Sequence, residues 1–138
     1  MLAYDLDGIF INDFHITDFE NLDVEDLLST RNKLQPLFLP EDDFIVITGR
    51  PMSDLSHTLS WFDTFFTNKP LKIFHENDDF SKAKEYKLSV LKNIKTEFNV
   101  QAFIESDKKQ VDYLKQHISD IEIYHFAELI SKKLQLII

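Results

Sequence analysis

The apolar residues of this chain gather into short runs separated by segments with helical spacing. Met1 to Asp5, Phe44-Ile45-Val46-Ile47, Leu71 to Phe74, Val100 to Ile104 and Ile121 to Tyr124 are the runs. Several are apolar at nearly every position, as strands buried on both faces of a parallel sheet are. Between them, Val24 to Leu34 carries apolar residues at helical spacing, and Leu55, Leu59 and Phe62 share one face after Pro51, which stands where a helix begins. Ser81 to Phe98 holds Leu88, Leu91, Ile94 and Phe98 in register, Val111, Leu114 and Ile118 mark another helix, and Phe126 to Leu134 a last one. Alternating strands and helices predict a three-layer, Rossmann-like α/β domain: a central, mostly parallel five-stranded sheet with helices on its faces and right-handed crossovers.

The chain's 138 residues suit a single domain over 1–138. Residues 10–43 read as a loop-and-helix insertion after the first strand, too short for a large cap. Within it, Phe10 to Asp23 has the look of an extended loop or hairpin. An apolar content of 43%, with 13 phenylalanines, is enough for a packed core and argues against disorder.

Charge and cysteine usage narrow the function classes. A net charge of -9 repels phosphate backbones and anionic bilayers, which speaks against general nucleic-acid binding and against a membrane surface. It leaves room for an enzyme acting on a phosphate group, because a bound divalent cation reverses the local sign. Without cysteine there is no disulfide scaffold, no thiolate metal site and no cysteine nucleophile. The opening Met-Leu-Ala-Tyr-Asp is not a signal peptide and the apolar runs are too short to span a bilayer, so a cytoplasmic location is expected. The apolar ending Leu136-Ile137-Ile138 reads as a core edge or a partner contact, and an oligomer is one way an open site could be closed.

The chain has two glycines, Gly8 after Asp5-Leu6-Asp7 and Gly49 in Thr48-Gly49-Arg50, each directly after an apolar run. Ligands of open parallel sheets bind at the carboxyl ends of strands, so both glycines should border one crevice. Asp5 and Asp7 lie two residues apart at a strand end, where carboxylates repel unless a cation sits with them. Magnesium, an oxygen-seeking ion, suits that place; a solvated acidic turn is the plainer alternative. Thr48 and the adjacent amides offer donors to a phosphate oxygen, or Thr48 caps the helix that follows. Lys87, one and two turns before Leu91 and Ile94, can reach inward to an acidic site or lie on the surface. Ile104-Glu105-Ser106-Asp107 puts acids at the end of the fourth run, or simply caps the next helix.

Taken in order, these residues resemble the haloacid dehalogenase-like hydrolases. The first motif of that superfamily is matched by Ala3-Tyr4-Asp5-Leu6-Asp7-Gly8, the second by Ile45-Val46-Ile47-Thr48-Gly49-Arg50, the third by Lys87 and the fourth by Glu105 to Asp107. The likeness spans nearly the whole chain and is greatest to small members with almost no cap, including a branch described as RNA-repair-like. The chain departs from the pattern at Ile9, where Thr or Val is usual, and at Ser106, where an acid often binds metal. Asp107 is the preferred metal ligand, with Glu105 as alternate; Lys69 is the alternate to Lys87.

The resemblance implies a magnesium-dependent phosphatase. Asp5 would be the nucleophile forming an aspartyl-phosphate, and Asp7 the general acid and base. Thr48, Gly49 and Lys87 would hold the phosphoryl group, and Asp5, the Asp7 carbonyl and Asp107 or Glu105 the metal. The substrate would be a phosphorylated small molecule or a nucleic-acid end. Two rivals stand beside it. One is a binding module that kept the fold and lost the chemistry. The other is a phosphoacceptor receiver, disfavoured because its phosphorylated aspartate and threonine end later strands than Asp5 and Thr48 do. The five histidines show no metal-ligand spacing.

Overall fold

β1 (Leu2–Tyr4), β2 (Phe44–Pro51), β3 (Lys72–Glu76), β4 (Ala102–Glu105) and β5 (Glu122–His125) lie side by side in the order β3-β2-β1-β4-β5, and every pairing is parallel. The structure is a computed structural model and describes residues 1–11, 33–76 and 82–129. A 3-10 turn at Met52–Asp54 leads into α1 (Leu55–Phe65); α2 (Ala83–Ile94) and α3 (Lys108–His117) follow. Residues 126–129 are helical. Most of the helix expected over Val24 to Leu34, most of the Phe10 to Asp23 loop, the rest of the Phe126 to Leu134 helix and Leu136 to Ile138 lie outside the described residues.

The short apolar runs are strands because both of their faces are covered. Ala3, Ile45, Ile47, Phe103 and Ile123 pack on one face with Leu88, Leu91 and Ile94 of α2 and Val111 and Leu114 of α3. Their neighbours Tyr4, Phe44, Val46 and Ile104 pack on the other with Trp61 and Phe62 of α1. This period of two along each strand produces the three layers. The sheet is wholly parallel, where the sequence pattern gave it as mostly so. No helix among the described residues is long and apolar enough to cross a membrane.

The strand order places the site. After β1 the chain adds β2 and β3 on one side, then crosses to put β4 and β5 on the other. Neighbouring connections therefore diverge at the carboxyl ends of β1 and β4 and open a crevice there. Gly8 makes the sharp exit from β1 possible: its φ is 85°, which a side chain would disfavour, and its N–H donates to the Ile11 carbonyl at 2.7 Å. Phe10 then stacks on Phe38 at 4.6 Å between ring centres and meets Tyr4, Phe44, Phe62 and Phe66 in edge-on or tilted contacts. A fully buried side chain of this size contributes roughly 1.5–3 kcal/mol, so the turn that carries Asp7 is firmly anchored.

Candidate active site

At the crevice a buried lysine joins the ends of β1 and β4. The Asp5 N–H donates to the Ile104 carbonyl at 2.9 Å, which prolongs the β1–β4 pairing and sets the Asp5 side chain over the crevice. Lys87 lies on the sheet side of α2, and its Nζ donates to Asp5 Oδ1 at 3.2 Å, Glu105 Oε2 at 2.7 Å and Gln110 Oε1 at 2.8 Å. An ammonium has three protons to give, and all three find an acceptor. The other Glu105 oxygen accepts from the Ser106 and Asp107 N–H groups. Burial alone pulls the Lys87 pKa down, but the charges of Asp5 and Glu105 and their hydrogen bonds outweigh it and hold the group above its ordinary 10.5. Glu105 is pushed well above the usual carboxylate range, first by burial and then by the Asp5 charge, with Lys87 offsetting only part.

A second buried cation organises the β2 side. Arg50, 2% exposed, forks onto Asp7, with Nε 2.8 Å from Oδ2 and Nη2 2.8 Å from Oδ1. Its Nη1 donates to Asp54 Oδ2 at 2.9 Å and to Thr58 Oγ1 at 3.3 Å. Asp54 is itself buried and pairs with His57 Nδ1 at 2.9 Å. The guanidinium stays charged because Asp7 and Asp54 raise its pKa against the opposing effect of burial. The sequence reading gave Arg50 no role. The clue to one was Arg50 directly after the glycine of the second motif, with Asp54 four and Thr58 eight residues on.

Ser106 links the two halves. Its Oγ lies 3.0 Å from Asp5 Oδ2 and 2.9 Å from the Asp7 carbonyl oxygen. Both distances are ordinary hydroxyl hydrogen-bond lengths, and they also match the roughly 3 Å between adjacent oxygens around an octahedral magnesium. Among the described residues there is no group of at least three His, Asp or Glu that could hold a metal. The donors that converge are instead a carboxylate, a backbone carbonyl and a hydroxyl. They fit magnesium in spacing and in hardness, with one formal charge and with Lys87 sharing the same carboxylate, which makes for a weak site.

The remaining candidates fall into place around this centre. Thr48, expected at a strand end, is buried inside β2, just before the shift of register that precedes Pro51; its Oγ1 accepts from the Arg50 N–H at 3.1 Å, and the following helices have no side-chain cap from it. Gly49 lies against the start of α2: a Cβ there would stand 3.1 Å from the Ala83 Cβ. Asp107, the preferred metal ligand, is exposed and turned to its own helix, accepting from the Lys109 N–H at 2.9 Å as the cap of α3. Its alternate Glu105 is engaged by Lys87, so the oxygen facing Asp5 and the Asp7 carbonyl is that of Ser106. Lys69 is exposed and paired with Asp63 at 2.7 Å on the surface, away from Asp5. Asp5, Asp7, Lys87 and Glu105 are brought together, and Asp107 and Lys69 are not.

A cavity of ≈ 520 Å³ lies at the opposite, amino-terminal end of the strands, between Met1, Tyr4, Asp42, Phe44 and Gln101. Asp5, Asp7, Thr48, Arg50, Lys87, Glu105 and Ser106 are not among its lining residues. The converging charges, rather than this hollow, mark the candidate site, since chemistry needs positioned groups before it needs volume. No protein-family model, no curated protein and no solved structure matches this chain.

Proposed function

We propose that the chain is a small haloacid dehalogenase-like phosphatase that hydrolyses phosphomonoesters through an aspartyl-phosphate at Asp5, with magnesium as cofactor. The observation that carries this reading is the Asp5 carboxylate at the switch point of the sheet, braced by Lys87 on one oxygen and Ser106 on the other. A carboxylate so held is oriented for in-line attack and has its charge screened for the approach of an anion.

In this reading an Asp5 oxygen attacks phosphorus, the bond from phosphorus to the leaving oxygen breaks, and that oxygen takes the electron pair. Water then attacks the aspartyl-phosphate; the bond from phosphorus to Asp5 breaks, the carboxylate is regenerated, and the water proton passes to Asp7. Lys87 neutralises the gathering charge, and Thr48 and Gly49 would hold the phosphoryl oxygens, with the Thr48 hydroxyl fixed by the Arg50 N–H. Magnesium, held by Asp5, the Asp7 carbonyl and Ser106, would screen the phosphate charge when bound. The substrate is a phosphorylated small molecule or nucleic-acid end, and the cysteine-free composition suits the cytoplasm.

The test is Asp5→Asn. The amide preserves size and hydrogen bonding, so the fold should survive while turnover of a chromogenic phosphate ester with magnesium vanishes. Acid-stable protein labelling by a radiolabelled substrate should vanish with it. Turnover at the wild-type rate in the variant would falsify the covalent mechanism. A second reading, a binding module without turnover, is favoured by one feature: a neutral Ser106 stands where an acid was expected. Phosphate binding without hydrolysis by the wild-type protein would select it.

A further inference from the structure

We infer that His125, at the end of β5, is a positioning residue of the proposed site. It fixes the Ser106 carbonyl and, through the main chain, the Ser106 hydroxyl that faces Asp5 and the Asp7 carbonyl. The inference rests on the phosphatase reading, in which those oxygens hold magnesium, and it gives a role to one of the five histidines.

The roles of the two ring nitrogens follow from their partners. Nδ1 lies 3.1 Å from the Ala127 nitrogen. A backbone N–H can only donate, so Nδ1 is the acceptor and carries no proton. The ring proton is therefore on Nε2, which donates to the Ser106 carbonyl at 3.0 Å. Main chain thus holds the ring from both ends. On one side is the first turn of the helix at 126–129, on the other the exit of β4.

The register of the sheet brings this residue to Ser106. β5 runs parallel to β4, and His125 stands beside Glu105, one residue before Ser106. The peptide that joins Ser106 to Asp107 is then gripped on both edges. Its N–H, that of Asp107, donates to Glu105 Oε1 at 3.2 Å, and its carbonyl accepts from His125. The peptide before Ser106 is held as well, since the Ser106 N–H donates to Glu105 Oε1 at 3.1 Å. With both flanking peptides fixed, the main chain keeps Ser106 Oγ 3.0 Å from Asp5 Oδ2 and 2.9 Å from the Asp7 carbonyl. Loss of the His125 bond frees the outgoing peptide to turn toward water, and the hydroxyl shifts with it. A group behind a metal ligand acts in this way, aiming the ligand without touching the ion.

The experiment uses two variants that each keep one nitrogen's partner. His125→Asn puts an amide oxygen where Nδ1 stands, and asparagine is a good helix cap, but its side chain is too short to donate to Ser106. His125→Gln puts an amide nitrogen near the place of Nε2 and keeps that donor, but it caps poorly. Magnesium affinity by titration calorimetry, melting temperature without metal, and kcat/KM for a chromogenic phosphate ester are measured for both. His125→Asn should melt near the wild type and lose about 10–100-fold in magnesium affinity and in kcat/KM. His125→Gln should melt lower yet recover most of that loss. A residue that only caps the last helix gives the reverse order, with His125→Gln the more impaired in every measurement, and that order overturns the inference. Wild-type affinity in His125→Asn overturns it too. In the Ser106→Ala background His125→Asn should weaken magnesium binding no further, because it acts through Ser106; additive losses would overturn that route. Nitrogen NMR of the metal-free protein gives a readout independent of the ion. The His125 ring signals, assigned by their loss in His125→Asn, should show a proton on Nε2 and none on Nδ1; a proton on Nδ1 overturns the positioning bond. A wild-type protein that binds no magnesium and turns over no ester overturns the phosphatase reading itself, and this inference with it.

Discussion

Lys87 and Glu105 stand 2.7 Å apart with side chains 2% and 1% exposed, a buried ion pair that ties α2 to the end of β4. Such a pair is strongly destabilising to break from one side, because the surviving charge stays in the interior. Lys87→Met leaves Asp5 and Glu105 facing each other without a cation and should lower stability by about 3–5 kcal/mol. The double variant Lys87→Met with Glu105→Gln should regain a large part of that loss, since the neutral amide needs no counter-charge. Urea unfolding of both variants checks this. A single variant as stable as the wild type would show that water reaches the pair.

Gly49 offers a test of packing rather than charge. Its φ is not in the left-handed region, so the backbone would accept alanine. The obstacle is Ala83 at the start of α2, whose Cβ would stand 3.1 Å from the new one. Both atoms sit on short, rigid side chains, so the helix must move. Gly49→Ala should cost about 1–3 kcal/mol, the usual range for overpacking, and the displaced α2 should carry Lys87 with it. Thermal unfolding gives the first quantity. An unchanged melting temperature would mean that α2 gives way freely.

His75 on β3 should make stability depend on pH. Its Nδ1 donates to the Pro51 carbonyl at 3.0 Å, while Nε2 is buried and has no hydrogen-bond partner among the described residues. Burial holds its pKa below the ordinary 6.5, and the nearby Arg50 charge adds to that; the bond to Pro51 and the charges of Asp54 and Asp7 oppose it. The unfolded chain therefore takes up this proton at higher pH than the folded one. The contribution is fully present above pH 6.5 and is lost as pH falls below it toward the lowered folded value. His75→Gln cannot titrate, so the gap in urea midpoint between the two proteins should shift in favour of the variant from pH 8 to pH 5.5. A constant gap would assign the acid sensitivity elsewhere.

The strand-end chemistry was legible because it is local. Apolar runs, the Gly8 turn and the inward register of Lys87 each follow from a few adjacent residues. Strand–helix alternation also made a mostly parallel five-stranded sheet readable, and the sheet is parallel throughout. What escaped depends on distant groups meeting. Arg50 becomes a clamp only because Asp7, 43 positions away, folds against it. Ser106 and Asp107 are neighbours with exchanged prospects: the acid was the better ligand by chemistry, yet the start of α3 claims Asp107 for its own N–H groups and leaves the hydroxyl facing Asp5. A helix cap and a metal ligand draw on the same residue type, and only the direction of the chain after β4 separates them.

That exchange makes Ser106 the most informative position to change. Its hydroxyl touches Asp5 Oδ2 and the Asp7 carbonyl, the two oxygens that would share magnesium with it. Ser106→Ala removes one donor and should weaken magnesium binding, at a loss of about 0.5–1.5 kcal/mol in stability for the missing hydrogen bond. Ser106→Asp works in the opposite direction on each count. Without metal, a further carboxylate beside Asp5 adds like-charge repulsion, and the melting temperature should fall. With magnesium the added charge becomes a ligand, so affinity should rise above that of the wild type. Because metal that binds only the folded state stabilises it, by about 2.7 kcal/mol at one hundred times the dissociation constant, magnesium should restore the lost stability of Ser106→Asp far more than it raises that of Ser106→Ala. Titration calorimetry and melting curves with and without magnesium read both effects, and neither requires turnover. If the three proteins bind magnesium equally, the ion does not sit among these oxygens, and the metal assignment fails while the Asp5 test stands on its own.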